Sequence, residues 1–334
     1  MTDWPAILQA FNGQFTQEPT HLAPSVVFKQ DLNKKNALCY LSHYAFLSVQ
    51  GLDAQKFLQG QLTCDMRDIS LSQTKLAGHC NPKGRLHGIF QVIQLKSDHY
   101  LLAIPNVQIA HIQASLKKYA VFSKVKITQL MLYSFGLVGT EEDIQKINPE
   151  LSQLSFFQKQ DSLSLNLDPI CYIRMPSHDA GLYRFLVLFH GQADTQSIIN
   201  YLLNLNTLGF DNISTTYWHK LSLLALLPNI YPETTEKCLP HTLNLPQLGA
   251  VSFNKGCYTG QEIVARMEYL GKIKKTIICR EFKWDNHNSS PLPLLGQNNN
   301  INNNINNNTD NILLDYIALP NLYYYLGLFI SDVT

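Results

Sequence analysis

An α+β protein of two or three mixed domains is what the 334-residue sequence predicts, on three observations. From the polar run at Asp31 to about residue 240, short β-like runs alternate with amphipathic helical runs, the pattern of sheets packed against helices. With 45% apolar residues the chain can bury sizeable cores, and its length suggests more than one of them. From Lys272 onward the pattern changes to a strand-like run, a Ser/Pro turn and an Asn-rich tract, which marks a separate C-terminal part. The expected division is 1–130, 131–270 and 271–334.

The elements follow in order. "GLDAQKFLQGQL" predicts a helix opening near Asp53, a residue type that suits an N-cap, with Phe57, Leu58 and Leu62 on one face. "HCNPKGRLHGIFQVIQL" reads as a turn on Asn81, Pro82 and Gly84 that leads into a strand. A second helix fits "NVQIAHIQASLKKYA", where Val107, Ile109, Ile112 and Leu116 form the apolar stripe and two lysines fall in the last turn. "VFSKVKITQL" alternates like a strand. A third helix opens near Asp194 and a fourth covers "YWHKLSLLALL". "KTIICREFKW" is again strand-like, and the tract at 297–311 is too polar to repay the entropy of ordering.

Composition excludes several functions. A net charge of +1 gives no global pull toward nucleic acid or acidic lipid, so no direct nucleic-acid partner is expected. Asp3, Trp4 and Pro5 stand where a secretory signal needs a basic end and an unbroken apolar run. The apolar segment "NILLDYIALPNLYYYLGLFISDV" is interrupted by Asp315, Pro320 and Asn321, which argues against a membrane span. A cytoplasmic protein is expected. Seven scattered cysteines with no C-x-x-C pair disfavour a disulfide framework, a resident zinc site or an all-cysteine iron-sulfur site.

One stretch carries chemistry: "FNKGCYTGQEIVARM", Phe253 to Met267. Gly256 and Gly260 offer backbone freedom on either side of Cys257. A helix with Ile263, Val264, Met267 and Leu270 at helical spacing follows, with Thr259 as its candidate N-cap. A thiol ahead of a helix start and near Lys255 is favoured as thiolate, while Glu262 in the first turn opposes this. Three readings stay open here: a reactive thiol, a nucleophile served by one of eleven histidines, and a small residue in a tight turn.

"KGCYTGQEIVARMEYLGKIKK", Lys255 to Lys275, resembles the signature of the YgfZ family of folate-binding proteins, relatives of the glycine cleavage T-protein, an aminomethyltransferase. "FLSVQGLDAQKFLQGQLTCDM" and "HCNPKGRLHGIFQVI" resemble folate-domain segments of the same superfamily, and the likeness runs over roughly residues 36 to 280. It implies an aminomethyltransferase-like fold of mixed sheet-and-helix domains around a central channel holding tetrahydrofolate, closed by a small and here incomplete C-terminal β-barrel. It also implies support for the assembly or repair of iron-sulfur enzymes, including those that thiolate tRNA. Cys257 would be the key thiol. Lys255, Gly256, Tyr258, Gly260, Gln261 and Glu262 would line one wall of the channel, and Asn81, Lys83, Gly84 and Arg85 the other. Glu262 or Asp65 suits the guanidine-like edge of a pterin, Tyr258 its face, and Lys83, Arg85 or Lys255 its anionic glutamate tail. Aminomethyltransferases carry an acidic residue after the glycine turn, where this chain reads "KGRLHGIF" with His87 and Gly88. The resemblance therefore points away from aminomethyl transfer, leaving a one-carbon transferase and a folate-independent cysteine enzyme as alternatives.

Overall fold

The computed structural model describes residues 3–16, 25–28, 35–154, 162–191, 193–283, 295–296, 312–318 and 324–332. The Asn tract at 297–311 lies outside them. The chain forms two compact units, one made of Met1–Phe57, Met66–Lys75 and Gln91–Trp218, the other of Leu58–Asp65, Leu76–Phe90 and His219–Thr334.

The first unit opens with helix α1 (Trp4–Ala10) and the short pair β1 (Gln14–Phe15) and β2 (Val26–Val27). The Asp3 side chain accepts from the Ala6 amide and Pro5 sits in the first turn, so the segment forms a capped helix. An eleven-stranded sheet follows, of which residues 76–80 and 86–90 count with the second unit. Its strands are β3 (Ala37–Tyr40), β4 (Tyr44–Gln50), β5 (Gln73–Cys80), β6 (Leu86–Lys96), β7 (His99–Pro105), β8 (Lys126–Leu130), β9 (Tyr133–Gly139), β10 (Ser162–Leu167), β11 (Ile170–Met175), β12 (Tyr183–Phe189) and β13 (Asp211–Ile213). Their spatial order is β13-β3-β9-β12-β11-β10-β5-β6-β7-β4-β8. Only β13 with β3 is parallel among the registers described, so the fold is α+β rather than α/β.

Local signals place the helices. Asp194 caps α6 (Thr195–Thr207) through the Ser197 amide at 2.6 Å, and Ile198, Leu202 and Leu205 form its buried stripe. In α3 (Ile109–Tyr119), Ile109, Ile112 and Leu116 are buried as the spacing predicts, whereas Val107 is exposed because it falls in the 3-10 turn before the helix. α2 (Ala54–Gln59) starts after Asp53, but the Asp53 carboxylate accepts from the Lys124 amide at 2.7 Å and holds a neighbouring turn instead. Two short helices, α4 (Glu141–Ile147) and α5 (Pro149–Gln153), follow β9. The core gathers Trp4, Tyr40, Phe135, Phe185, Val187 and Ile198.

The second unit takes in the end of α7 (Thr215–Leu224), then α8 (Gln261–Leu270), and a three-stranded antiparallel sheet of β14 (Lys275–Lys283), β15 (Ile312–Ala318) and β16 (Tyr324–Asp332) in the order β14-β16-β15. Among the described residues that sheet is open rather than closed into a barrel, as expected of an incomplete C-terminal domain. Asp315, the charge that interrupts the apolar run, is wholly buried at a bulge after Leu313. It lies 2.8 Å from His219 Nε2 and accepts from the Tyr231 hydroxyl and the Tyr316 amide, both at 2.9 Å. A buried carboxylate persists only with such partners. Among the described residues no helix is long and apolar enough to cross a membrane.

Candidate functional site

Three stretches far apart in sequence meet within the second unit. The first is the chain after α2, residues 58–65. The second is the hairpin turn between β5 and β6, and the third is the cysteine turn before α8.

The hairpin turn is built by Asn81. Its side-chain oxygen accepts from the amides of Lys83 (2.9 Å) and Arg85 (3.0 Å), and its backbone N–H donates to the Arg85 carbonyl at 2.8 Å. Gly84 takes φ +71° to close the loop. This confirms the predicted turn and gives the Asn81 oxygen a structural task. Lys83 and Arg85 are exposed, and Arg85 donates to the Lys237 carbonyl at 2.8 Å.

Gly260 is the N-cap of α8, with φ +84°, and a Cβ there would stand 2.4 Å from the Asn81 carbonyl oxygen and 3.0 Å from the Gly84 Cα. The two glycine turns thus pack backbone to backbone. Thr259, expected as the cap, instead lies with its hydroxyl 3.5 Å from the Gln61 side chain and its amide donating to the Gly60 carbonyl at 3.1 Å. Gln261 and Tyr258 brace the turn reciprocally: the Gln261 amide donates to the Tyr258 carbonyl at 3.1 Å and the Tyr258 amide to Gln261 Oε1 at 3.3 Å. Gly256 differs from Gly260. A Cβ on it would meet nothing within 4 Å, so the fold does not itself require glycine there.

Lys255 has a structural task as well. It is 7% exposed, and its ammonium donates to the carbonyls of Gln59 (2.7 Å), Leu62 (2.6 Å) and Cys64 (2.7 Å). Three N–H groups thus meet three main-chain acceptors. Its charge also lies 4.9 Å from the centre of the Tyr258 ring. Nothing in the sequence pattern signals this clamp, because its acceptors are main-chain carbonyls. Asp65, at the end of the same stretch, is buried and accepts from Gln59 Nε2 at 3.1 Å.

Tyr258 is buried, and its hydroxyl has no hydrogen-bond partner. Burial, reinforced by Cys80, holds that phenol well above the usual tyrosine range. Cys257 and Glu262 are exposed. Cys257 is the one exposed cysteine of the seven. Burial pushes Cys39, Cys80, Cys171 and Cys238 up to about 12 and Cys279 up to about 11, and Cys64 is enclosed. Brief iodoacetamide treatment at pH 8 is accordingly expected to label one site, Cys257, at least about ten-fold faster than any other. Peptide mapping that finds a second cysteine labelled equally fast contradicts this.

Of the predicted stripe on α8, Val264 is buried, but Leu270 is 81% exposed. Beside the hairpin, His87 Nδ1 lies 3.3 Å from Glu236 Oε1 and its ring 5.2 Å from that of His79. The sequence draws attention to His87 but not to the glutamate, which comes from far along the chain.

An α+β chain with this strand order and these joined glycine turns has the fold of the aminomethyltransferases. It aligns with the glycine cleavage aminomethyltransferase T of Bartonella henselae at TM-score 0.70, covering 98% of this chain and 88% of that one at 13% identity. No family model matches. The tRNA-modifying protein YgfZ of Colwellia psychrerythraea is 33% identical over 247 residues, 72% of this chain and 70% of that protein. The tRNA-modifying protein YgfZ of Blochmanniella pennsylvanica is 30% identical over 262 residues, 77% and 74% of the two chains. The chain belongs to the YgfZ family.

Proposed function

We propose that this protein binds tetrahydrofolate, or a derivative of it, against the paired glycine turns, and that it serves tRNA modification by sustaining iron-sulfur enzymes through the Cys257 thiol. The observation that carries the reading is the convergence of the residue 58–65 stretch, the "NPKGR" turn and the "KGCYTGQE" turn around one exposed cysteine.

The residues present fit a folate. The orphaned Tyr258 hydroxyl is a polar group in want of a partner. Gly256 offers an open stretch of backbone at which a flat ring can approach closely. Glu262 is the exposed carboxylate for a guanidine-like edge, and Lys83 and Arg85 are the exposed cations for a glutamate tail. Lys255, Gly260, Gln261 and Asn81 act indirectly, by holding the turns that present these groups. Bound folate would supply a one-carbon carrier, or a ligand whose occupancy reports folate supply. Cys257 would supply redox chemistry or a soft ligand. The protein would work in the cytoplasm.

Tetrahydrofolate at 100 times its Kd should stabilise the fold by about 2.7 kcal/mol and raise the thermal midpoint. Cys257→Ser should retain that shift yet fail to restore tRNA thiolation in cells lacking the protein. A well-folded sample with no shift at saturating reduced folate removes the folate reading, and full complementation by the serine variant removes the thiol's role. One-carbon transfer is the second reading, favoured by the fold alone; turnover of an aminomethyl donor would establish it.

A further inference from the structure

The family-like signature extends past the cysteine turn to Lys275, and the folate reading uses none of its last part. That part shapes a cleft of about 390 Å³ at the C-terminal end of α8, lined by Lys272, Lys274, Lys275, His241 and Thr242, with Met267 among its apolar lining. Among the described residues no carboxylate lines it. The nearby Glu268 is engaged with His241 Nε2 at 3.0 Å. His241 is 2% exposed, and its Nδ1 is buried with no hydrogen-bond partner. Tyr269 and Leu270, the last residues of α8 before those lysines, are 69% and 81% exposed, and the Tyr269 ring meets Phe253 edge-on at 6.1 Å.

We propose that this cleft contacts RNA, its lysines meeting phosphodiester groups and Tyr269 stacking on a base. Cations just beyond a helix C-terminus also complement the helix dipole, but that effect fades within the last turn. It accounts for Lys272 and not for Lys274 and Lys275 in or beside β14. A polyacid such as a glutamyl chain would use the lysines but has no need of an exposed aromatic. Lysines beside an aromatic platform and an apolar floor are the combination that nucleic acid uses. The near-zero net charge that argued against nucleic acid is a whole-chain sum, and it hides a local cluster.

The test uses the full chain, a fluorescein-labelled 17-nucleotide RNA stem-loop and poly-γ-glutamate as competitor, read by anisotropy. The triple variant Lys272→Ala, Lys274→Ala, Lys275→Ala should lose at least about ten-fold in affinity at 100 mM salt. Its slope of log K against log salt should fall by roughly 2 to 3, the value for three lost phosphate contacts. Tyr269→Ala should lose about five-fold or more. Because Lys272 and Lys274 are exposed and Lys275 is only half-buried, the thermal midpoint and folate titration of the triple variant should match the parent's, so this inference and the folate reading fail separately. Equal RNA affinity and salt slope for parent and triple variant overturn the proposal. So does a parent that does not bind RNA, or one that binds poly-γ-glutamate more tightly than RNA through the same lysines.

Discussion

Lys255→Met should destabilise the protein by about 3–5 kcal/mol, the cost expected when one side of a buried charged network is deleted. The chain after α2 turns away from its helix at Gln59, where a helix end leaves its last carbonyls without an intrahelical donor, and the Gln59, Leu62 and Cys64 carbonyls all receive the Lys255 ammonium. One ammonium satisfies all three at 2.6–2.7 Å, short distances typical of charge-assisted bonds. Methionine keeps the stem and the volume but offers no donor, so three carbonyls lose their partner together. Lys255→Arg should fall between parent and Met, since a planar fork cannot converge on one point as an ammonium does. Denaturant midpoints measure both. A methionine variant within about 1 kcal/mol of the parent would mean that water replaces the clamp at little cost.

The second large effect separates two glycines four residues apart. Gly260→Ala should cost about 2–5 kcal/mol, combining the left-handed backbone penalty with overpacking. At φ +84° the new methyl would stand 2.4 Å from the Asn81 oxygen, which is main chain and cannot swing aside. Gly256→Ala should change stability by less than about 1 kcal/mol, and in the stabilising direction if its backbone is compatible, because the space around it is open. The informative result is the pair measured together. If Gly256→Ala keeps the parent's midpoint but weakens folate binding, glycine serves the ligand there and the fold at 260. Equal losses from the two changes would contradict the packing described for them.

What was legible in the sequence follows from where the signal is local. Asp194 and the stripe Ile198, Leu202 and Leu205 define α6 within a dozen residues, and Asn81 to Gly84 define a turn within four. Thr259 was misread because a hydroxyl beside a helix start looks like a cap, while the left-handed geometry needed at Gly260 depends on the Asn81 carbonyl, known only in three dimensions. Leu270 was misread because periodicity marks an apolar face without showing that anything covers it. Within the candidate site, the resemblance singled out the turns, but not the task of Lys255. Its partners are carbonyls, which every residue type carries, so no substitution pattern reveals them.

The clamp also sets a schedule for synthesis. Lys255 and Gln59 are 196 residues apart, and the second unit draws its early segments, 58–65 and 76–90, from between stretches that belong to the first. On a ribosome adding about 5–20 residues per second, the first of those segments waits on the order of ten to forty seconds for its cation. During that interval the Leu62 and Cys64 carbonyls and the apolar side chains beside them lack their final partners, in a nascent chain whose first unit already has all its residues once Trp218 has emerged. A slow, late-closing step of this kind favours expression at reduced temperature, and it makes truncations after residue 218 poor candidates for isolated domains.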